Sequence, residues 1–294
     1  MKKKLALMMA VTLTMGSLLT GCGSSNDAAQ TTTDTEAAAE ETTDDAATEE
    51  TQDAAQESSE DTQIVYAVEA GSAGEEVAQE KGFQINSVAS QADALMEVAS
   101  GTSDAAIIDL LMAGAMIGEG TSYPNLTHTD ELTTEEYGVG CRKGSDLASF
   151  INSVFAESYA DGSMLETATT YGVQEALVEQ SESEFTEAET DSDVAYIKDK
   201  GTLIVGITDF APMDYKDESG EWIGFDADMA RIVAEKLGVE AQFVEIDWDN
   251  KIMELESKNI DVVWNGMTLT SEVTESMECT NAYCNNAQVI VVAQ

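Results

Sequence analysis

The chain has 294 residues, of which 57 are Asp or Glu and 13 are Lys or Arg, so its formal net charge at pH 7 is -44. A field this negative repels nucleic acids and other polyanions, so we expect no nucleic-acid partner and favour zwitterionic or cationic solutes. Much of the charge lies in two acidic segments described below. Salt screens it beyond about 8 Å, so the net charge says little about any one pocket.

The sequence offers little for catalysis. The sole histidine, His128, lies in a polar stretch without a general-base constellation, and the sequence has no nucleophile elbow, phosphate loop or zinc spacing. We therefore predict a protein that is not an enzyme and that needs no cofactor and no metal.

The N-terminus predicts export. Lysines at positions 2–4 precede an apolar run over residues 5–19, a pattern typical of a secretory signal and too short to span a membrane. The segment ends in LTGC at Cys22, which resembles the bacterial lipobox and implies a signal peptide over residues 1–22 with lipid on Cys22. The alternative is an ordinary signal with a chance cysteine. A lipidated Cys22 would hold the protein at the outer face of the cytoplasmic membrane.

Two acidic segments divide the rest of the chain. Residues 23–61 consist mainly of Ala, Thr, Ser, Gln, Asp and Glu, and they have too little apolar surface to fold, so we predict a disordered tether. Residues 181–193 are acidic and Ser-rich, which predicts a linker. The remaining ranges, 62–180 and 194–294, are large enough for two lobes.

Short β-branched runs alternate with amphipathic stretches in both ranges. The predicted strands cover residues 64–68, 85–88, 105–108, 137–141, 203–207, 241–244, 262–264 and 289–292. The predicted helices cover residues 74–81, 92–100, 146–160, 227–237 and 250–257. This alternation predicts an α/β fold with open, mostly parallel sheets covered by helices, and ligands of such sheets bind at the carboxyl ends of the strands.

Two polar positions fall at such strand ends. Gly71 and Ser72 follow a strand and open a helix, so backbone N–H groups there can hold an anion such as a carboxylate, although Gly and Ser also cap helices for structural reasons. Asp109 ends an apolar run and needs a hydrogen-bond donor, which an ammonium group on a ligand would supply. The alternative for Asp109 is an N-cap of the following helix.

Several motifs resemble bacterial extracellular solute-binding protein family 3, the receptors of polar amino acid ABC importers. The motifs TLIVGITDFAPMDY, GFDADMARIVAEKLGV and DVVWNGMTLT, within residues 202–270, are similar to its first lobe. The motifs AVEAGSAGEE, DAAIID and YGVGCRKGSD, within residues 67–146, are similar to its second lobe. The resemblance implies a two-lobed type II periplasmic-binding-protein fold that is circularly permuted, with lobe 2 before lobe 1.

The resemblance also implies a ligand site between the lobes. It assigns the ligand's carboxylate to the loop of Gly71 and Ser72, and its α-ammonium to Asp109. On the other lobe it implies contacts from Asp209, Phe210, Tyr215, Trp264, Asn265, Gly266, Met267 and Thr268. The aromatic residues among these have a plainer alternative, which is packing in the core.

The chain departs from the family at one position. Val273 stands where the family has an arginine that binds the ligand's carboxylate, and neither Arg231, on a helix, nor Arg142, which we expect in the crossover between lobes, replaces it. Either the Ser72 loop and Thr268 hold a carboxylate without help, or the ligand is an amine-bearing solute without an α-carboxylate. An amino acid or a close relative is our expectation.

These inferences predict a lipid-anchored solute receptor that works with an ABC importer permease. The alternatives are a solute sensor without transport, a dehydratase-like enzyme on the same fold, and a rearranged gene product without function. We expect residues 138–143 to cross between the lobes. A second crossing would begin at residues 289–292, and because the sequence stops at Gln294 we expect that crossing to be cut. Cys279 and Cys284 are spaced for a local disulfide, or remain thiols.

Overall fold

The structure is a computed structural model that describes residues 63–294. The predicted signal peptide, the lipidated Cys22 and the acidic tether lie outside these residues. Within the described range, every helix is too short or too polar to cross a membrane.

The elements are numbered along the chain. The strands are β1 Val65–Glu69, β2 Gln84–Val88, β3 Ala105–Asp109, β4 Leu126–Glu131, β5 Glu135–Cys141, β6 Thr202–Ile207, β7 Tyr215–Lys216, β8 Trp222–Ile223, β9 Glu240–Glu245, β10 Val262–Thr268, β11 Glu278–Cys279, β12 Cys284–Asn286 and β13 Gln288–Ala293. The helices are α1 Ala73–Glu80, α2 Gln91–Ser100, α3 Leu110–Met116, α4 Leu147–Asp161, α5 Ser163–Tyr171, α6 Asp193–Lys200, α7 Phe225–Leu237, α8 Lys251–Glu256 and α9 Ser271–Ser276. Each strand and helix predicted from the sequence is present, which confirms the α/β class.

The first sheet has the strand order β2-β1-β3-β13-β4. Strands β1, β2 and β3 are parallel, whereas β13 runs antiparallel to both β3 and β4. Every residue of β3 is buried, as expected for a central strand with helices on its faces. We call this sheet with α1, α2 and α3 the leading lobe.

The second sheet has the strand order β11-β5-β10-β6-β9, with β12 also paired to β5. Strand β6 is parallel to β9 and β10, and β5 runs antiparallel to β10. Helix α7 buries an apolar face against this sheet and ends at Leu237. It is capped by Gly238, whose φ of 76° gives the left-handed conformation that glycine favours. We call this sheet with α4 to α9 the trailing lobe.

The chain passes between the lobes at two adjacent places, and both differ from the prediction. Residues 132–134 connect β4 to β5, and Ala287 connects β12 to β13. The two crossings bond to each other, because Leu132 N donates to Gln288 O at 2.7 Å and Gln288 N donates to Thr133 Oγ1 at 2.8 Å. Both crossings are therefore continuous, and the expected cut hinge was wrong.

The pairing of β5 corrects the predicted lobe assignment. Cys141 pairs with Val262 and Gly140 with Val263, so residues 135–141 lie in the trailing sheet and are not a crossing. Arg142 lies beside them, where its Nη2 bonds Asp193 Oδ1 at 2.9 Å and its Nη1 donates to Ile260 O at 3.0 Å. Sheet membership therefore changes at residues 132–134 and 287, whereas the sequence predicted a boundary within residues 181–193.

The predicted linker is anchored at its end. Of the predicted linker, residues 181–193, positions 181–192 contain no helix or strand, and α6 begins at Asp193. Asp146 accepts hydrogen bonds from Ala188 N, Ser192 Oγ and Val194 N, at 3.1, 2.6 and 3.1 Å. Cys141, Cys279 and Cys284 are all free thiols in the described range.

Candidate ligand-binding site

A cavity of about 280 Å³ lies between the two lobes, and residues of both sheets line it. It opens at the carboxyl ends of β1, β3 and β10, where the sequence predicted a site. Seven of the predicted site residues line this cavity: Gly71, Ser72, Asp109, Asn265, Gly266, Met267 and Thr268. Because Asp109 and Thr268 belong to different lobes, the structure brings the two predicted half-sites together.

Four predicted residues lie elsewhere. Asp209 lines a neighbouring pocket with Asp93 and Glu245, and burial raises its pKa. Phe210 is 2% exposed. Tyr215 and Trp264 do not line the cavity either. The ring of Tyr215 meets the ring of Tyr171 edge-on, and Trp264 is fully buried against Phe155. For the aromatic residues the structure shows the packing alternative, since burial of large rings fills the space beneath the strand ends.

The loop of Gly71 and Ser72 holds a carboxylate from its own chain. Ser72 is the N-cap of α1, and its Oγ accepts from Glu75 N at 3.1 Å. Gly71 N donates to Glu75 Oε2 at 2.8 Å, and Ser87 Oγ donates to Glu75 Oε1 at 2.5 Å. The Glu75 side chain thus occupies the amide of Gly71 that an anionic ligand would use.

Asp109 is surrounded by donors from the protein. Its Oδ1 accepts from Tyr137 Oη at 2.7 Å, from Gln288 Nε2 at 3.1 Å and from Asn286 Nδ2. Its Oδ2 accepts from Gln91 Nε2. Burial first, and then the charge of Glu135, raise the pKa of Asp109 to about 7. Three of these donors come from β5, β12 and β13, which flank the two crossings between the lobes. The hydrogen bonds of Asp109 therefore hold the two crossing segments together.

Glu69, at the end of β1, was missed by the sequence reasoning. It is 3% exposed and lines the cavity, and its Oε1 has no hydrogen-bond partner among the described residues. Burial first, and then the charge of Asp109, raise the pKa of Glu69 to about 8, while the charge of Lys251 opposes the shift. The signal was the same as for Asp109, namely an acidic residue that ends a buried strand.

Lys251, in α8, was also missed. Its Nζ donates to Gly71 O in the leading lobe at 2.7 Å and to Trp248 O at 3.3 Å, and it lies 5.1 Å from the centre of the Trp248 ring. Burial lowers its pKa. Gly71 has a φ of 70°, and a Cβ atom there would lie 2.7 Å from the Cα of Asp249. The lobes are therefore in close contact beside the cavity.

The trailing side of the cavity is built on β10 and α9. Asn265 Oδ1 accepts from Thr208 N at 3.0 Å, and Gly266 N donates to Asp226 Oδ2 at 2.6 Å. Thr268 Oγ1 donates to Glu135 Oε2 at 3.0 Å. Val273 lines the cavity, so an apolar side chain stands where the sequence comparison implied an arginine.

A known family matches the C-terminal third of the chain. Residues 203–294 match the family described as bacterial extracellular solute-binding proteins, family 3. The L-cystine-binding protein TcyJ of Escherichia coli is 34% identical over 88 residues, which is 30% of this chain and 33% of that protein. The arginine-binding extracellular protein ArtP of Bacillus subtilis is 34% identical over 93 residues, 31% of this chain and 36% of that protein.

A third relative is an enzyme, the cyclohexadienyl dehydratase of Pseudomonas aeruginosa, 34% identical over 77 residues, 26% of this chain and 29% of that protein. Among solved structures, the ancestral cationic amino acid solute-binding protein AncCDT-1 is 40% identical, covers 29% of this chain and 37% of its own, and has a TM-score of 0.28. The arginine-bound domain 1 of TmArgBP is 33% identical over 32% of this chain and 84% of its own, with a TM-score of 0.27.

The chain spans about a third of the length of the curated relatives that it matches first. The matched segment contains β6 to β13, and with them the trailing side of the cavity. Over residues 203–294 the chain is similar to the bacterial extracellular solute-binding proteins, family 3, as its motifs predicted.

Proposed function

We propose that this protein is an extracellular receptor that binds an amino acid or a related amine-bearing solute in the cleft between its lobes. The observation that carries the proposal is the cavity itself, which is lined from one side by Ser72 and Asp109 and from the other by Asn265 and Thr268. Ligand sites of this kind are concave and lie between packed units. Most of the relatives named above are binding proteins, which supports binding rather than catalysis.

The proposal includes a circularly permuted fold. Its support is that the segment matched to the family supplies five of the six strands of the trailing sheet and then β13 of the leading sheet, while residues 65–131 supply the other four leading strands. A ligand held between lobes requires both halves in space and is indifferent to their order along the chain. Two continuous crossings side by side are what hinge closure requires.

The proposal also includes a lipid anchor at Cys22 and an ABC importer permease as partner. The anchor is supported by LTGC after a short apolar run, and the permease by the relatives' family. A sensor that presents its solute to a membrane protein without transport would use the same cleft. Loss of uptake of the bound solute when the gene is deleted would separate transport from sensing.

A thermal-shift screen of residues 59–294, which form one compact unit, tests the receptor function. We expect one cooperative transition whose midpoint rises with at least one amino acid or amine, because a ligand that binds only the folded state stabilises it. Asp109→Asn should broaden or lower that transition, since Asp109 holds both crossings. A panel of the common amino acids and aliphatic amines without any effect on the midpoint would contradict the proposed function.

A further inference from the structure

The cavity carries a large excess of acidic groups. Six carboxyl groups and one ammonium group, that of Lys251, line it. The acidic residues are Glu69, Glu75, Glu76, Asp109, Asp249 and Glu272. A cleft of one sign concentrates ligands of the opposite sign, so this charge distribution favours a cation.

The groups that would bind a ligand carboxylate are either already hydrogen-bonded within the protein or absent. Glu75 already accepts the N–H of Gly71 in the loop that would receive an anion, at 2.8 Å. A ligand carboxylate placed there would meet a like charge within a few ångströms, which is repulsive in a partly buried site. Val273 stands at the position where an arginine would bind such a carboxylate.

Lys251 does not make up for these losses. Its Nζ already donates to Gly71 O at 2.7 Å and to Trp248 O at 3.3 Å. The charges of Glu272, Glu69, Asp249 and Glu75 all act to stabilise its ammonium form. Its positive charge is therefore compensated by the cavity's own carboxylates before any ligand arrives.

Two carboxylates lie at the floor of the cavity, and they differ in their remaining capacity. Asp109 accepts from four side chains, so it has little left for a ligand. The buried Oε1 of Glu69, by contrast, has no hydrogen-bond partner among residues 63–294. A buried carboxyl oxygen without a hydrogen-bond partner costs free energy, and a ligand ammonium group would remove that cost.

We propose that the cleft binds an aliphatic diamine without a carboxylate, and that Oε1 of Glu69 accepts a hydrogen bond from one of its ammonium groups. This inference rests on the proposed solute-binding function and names its ligand class. The other carboxylates of the cavity compensate the second ammonium group. The apolar side chains of Trp248, Met267 and Val273 line the same cavity and offer contacts for a short methylene chain.

Two probes that differ by one group test the ligand class. L-Lysine is 1,5-diaminopentane with an added carboxylate, so isothermal titration of residues 59–294 with each compound isolates the effect of that carboxylate. We expect 1,5-diaminopentane to bind at least about tenfold more tightly than L-lysine, because the carboxylate meets Glu75 without a free partner. L-Lysine binding as tightly as the diamine, or more tightly, would overturn the inference and leave the receptor function standing.

Two variants test the role of Glu69. Glu69→Gln keeps the shape of the side chain and removes its charge, so we expect it to weaken binding of 1,5-diaminopentane about tenfold, as loss of a charge-assisted hydrogen bond does. Glu166→Gln, at an exposed position of α5, is the matched control and should bind as the unaltered protein does. Unchanged diamine affinity in Glu69→Gln would refute the assignment of Glu69.

Proton release gives an independent readout. Asp109 and Lys251 are the charged groups that act most on Glu69, and burial raises the pKa of Glu69 to about 8, so at pH 7 much of it is protonated. A bound ammonium favours the carboxylate form, so the diamine should release protons into the buffer at pH 7. Titrations in two buffers of different ionisation enthalpy measure that release, which should shrink in Glu69→Gln. An equal release in both proteins would count against the proposed contact.

Discussion

Gly71→Ala is expected to shift the molecule toward an open form, whereas Gly82→Ala is not. Both glycines lie in the leading lobe with nearly equal φ angles, 70° and 69°. A Cβ atom at Gly71 would lie 2.7 Å from the Cα of Asp249 across the cleft, whereas one at Gly82 would meet nothing within 4 Å. The left-handed backbone therefore costs both alanines about 1–2 kcal/mol, and only the first also pushes the lobes apart.

The expected size of the effect follows from the cost of overpacking. Inserting a methyl group against backbone costs about 1–3 kcal/mol, which lowers the ratio of closed to open molecules by about 5- to 150-fold. Small-angle X-ray scattering should show a larger radius of gyration for Gly71→Ala than for Gly82→Ala. The two variants should have similar melting temperatures if each lobe stays folded. Equal radii would mean that the lobes are not held at Gly71.

The empty protein should be more stable at pH 5.5 than at pH 8.5. Burial raises the pKa of Glu69 to about 8, of Asp109 to about 7 and of Asp226 to about 7, and it raises the pKa of Asp214 as well. These carboxyls titrate near pH 4 in the unfolded chain. Between about pH 4.5 and 8 the folded state binds more protons than the unfolded state, so stability falls as pH rises through the folded pKa values.

Thermal unfolding across this range measures the effect. Each kcal/mol lost lowers the melting temperature of a domain of this size by about 2–4 °C, so several such groups should lower it by about 5 °C or more. The exposed Asp161 and Asp217 have pKa values lowered by hydrogen bonds, so they act at more acidic pH and do not mask the trend.

Asp214→Asn should flatten the pH dependence, because both of its carboxylate oxygens are buried without partners in the part of the chain that the structure describes. Its carboxyl lies close enough to Asp226 for the two charges to repel. A melting temperature that is constant, or that rises, between pH 5.5 and 8.5 would show that these groups are hydrated in solution. The unaltered protein and the variant would then have parallel profiles.

The local elements of the fold were predictable because hydrophobic periodicity is a property of neighbouring residues. Residues 105–108 were predicted as a buried strand, and β3 is buried throughout. Short polar or poorly periodic elements were missed, such as α3 and the helix α6 that begins inside the predicted linker. The destination of β5 was also missed, because the pairing of Cys141 with Val262 joins residues far apart in sequence. A strand pattern indicates which faces are buried and leaves the partner strand undefined.

The candidate site was predictable to the extent that strand ends fix it. Asp109, Asn265 and Thr268 reached the cavity because each sits at or near the carboxyl end of a strand. What the sequence left undefined was the state of each group. Asp109 was expected to be free for a ligand, but side chains from three remote segments already donate hydrogen bonds to its carboxyl group. Glu69, by contrast, has a carboxyl oxygen without a partner among the described residues. Hydrogen-bond saturation depends on the tertiary structure and has no local signature.

The placement of β13 has a consequence for biosynthesis. The six strands of the trailing sheet all precede residue 287, whereas β13 fills the gap between β3 and β4 in the leading sheet. A nascent chain emerging from the ribosome would therefore carry β4 with no ladder partner among the described residues until 288–293 leave the exit tunnel. The half that is translated first is completed last, so chaperones that shield exposed strand edges would be needed longest by residues 105–131.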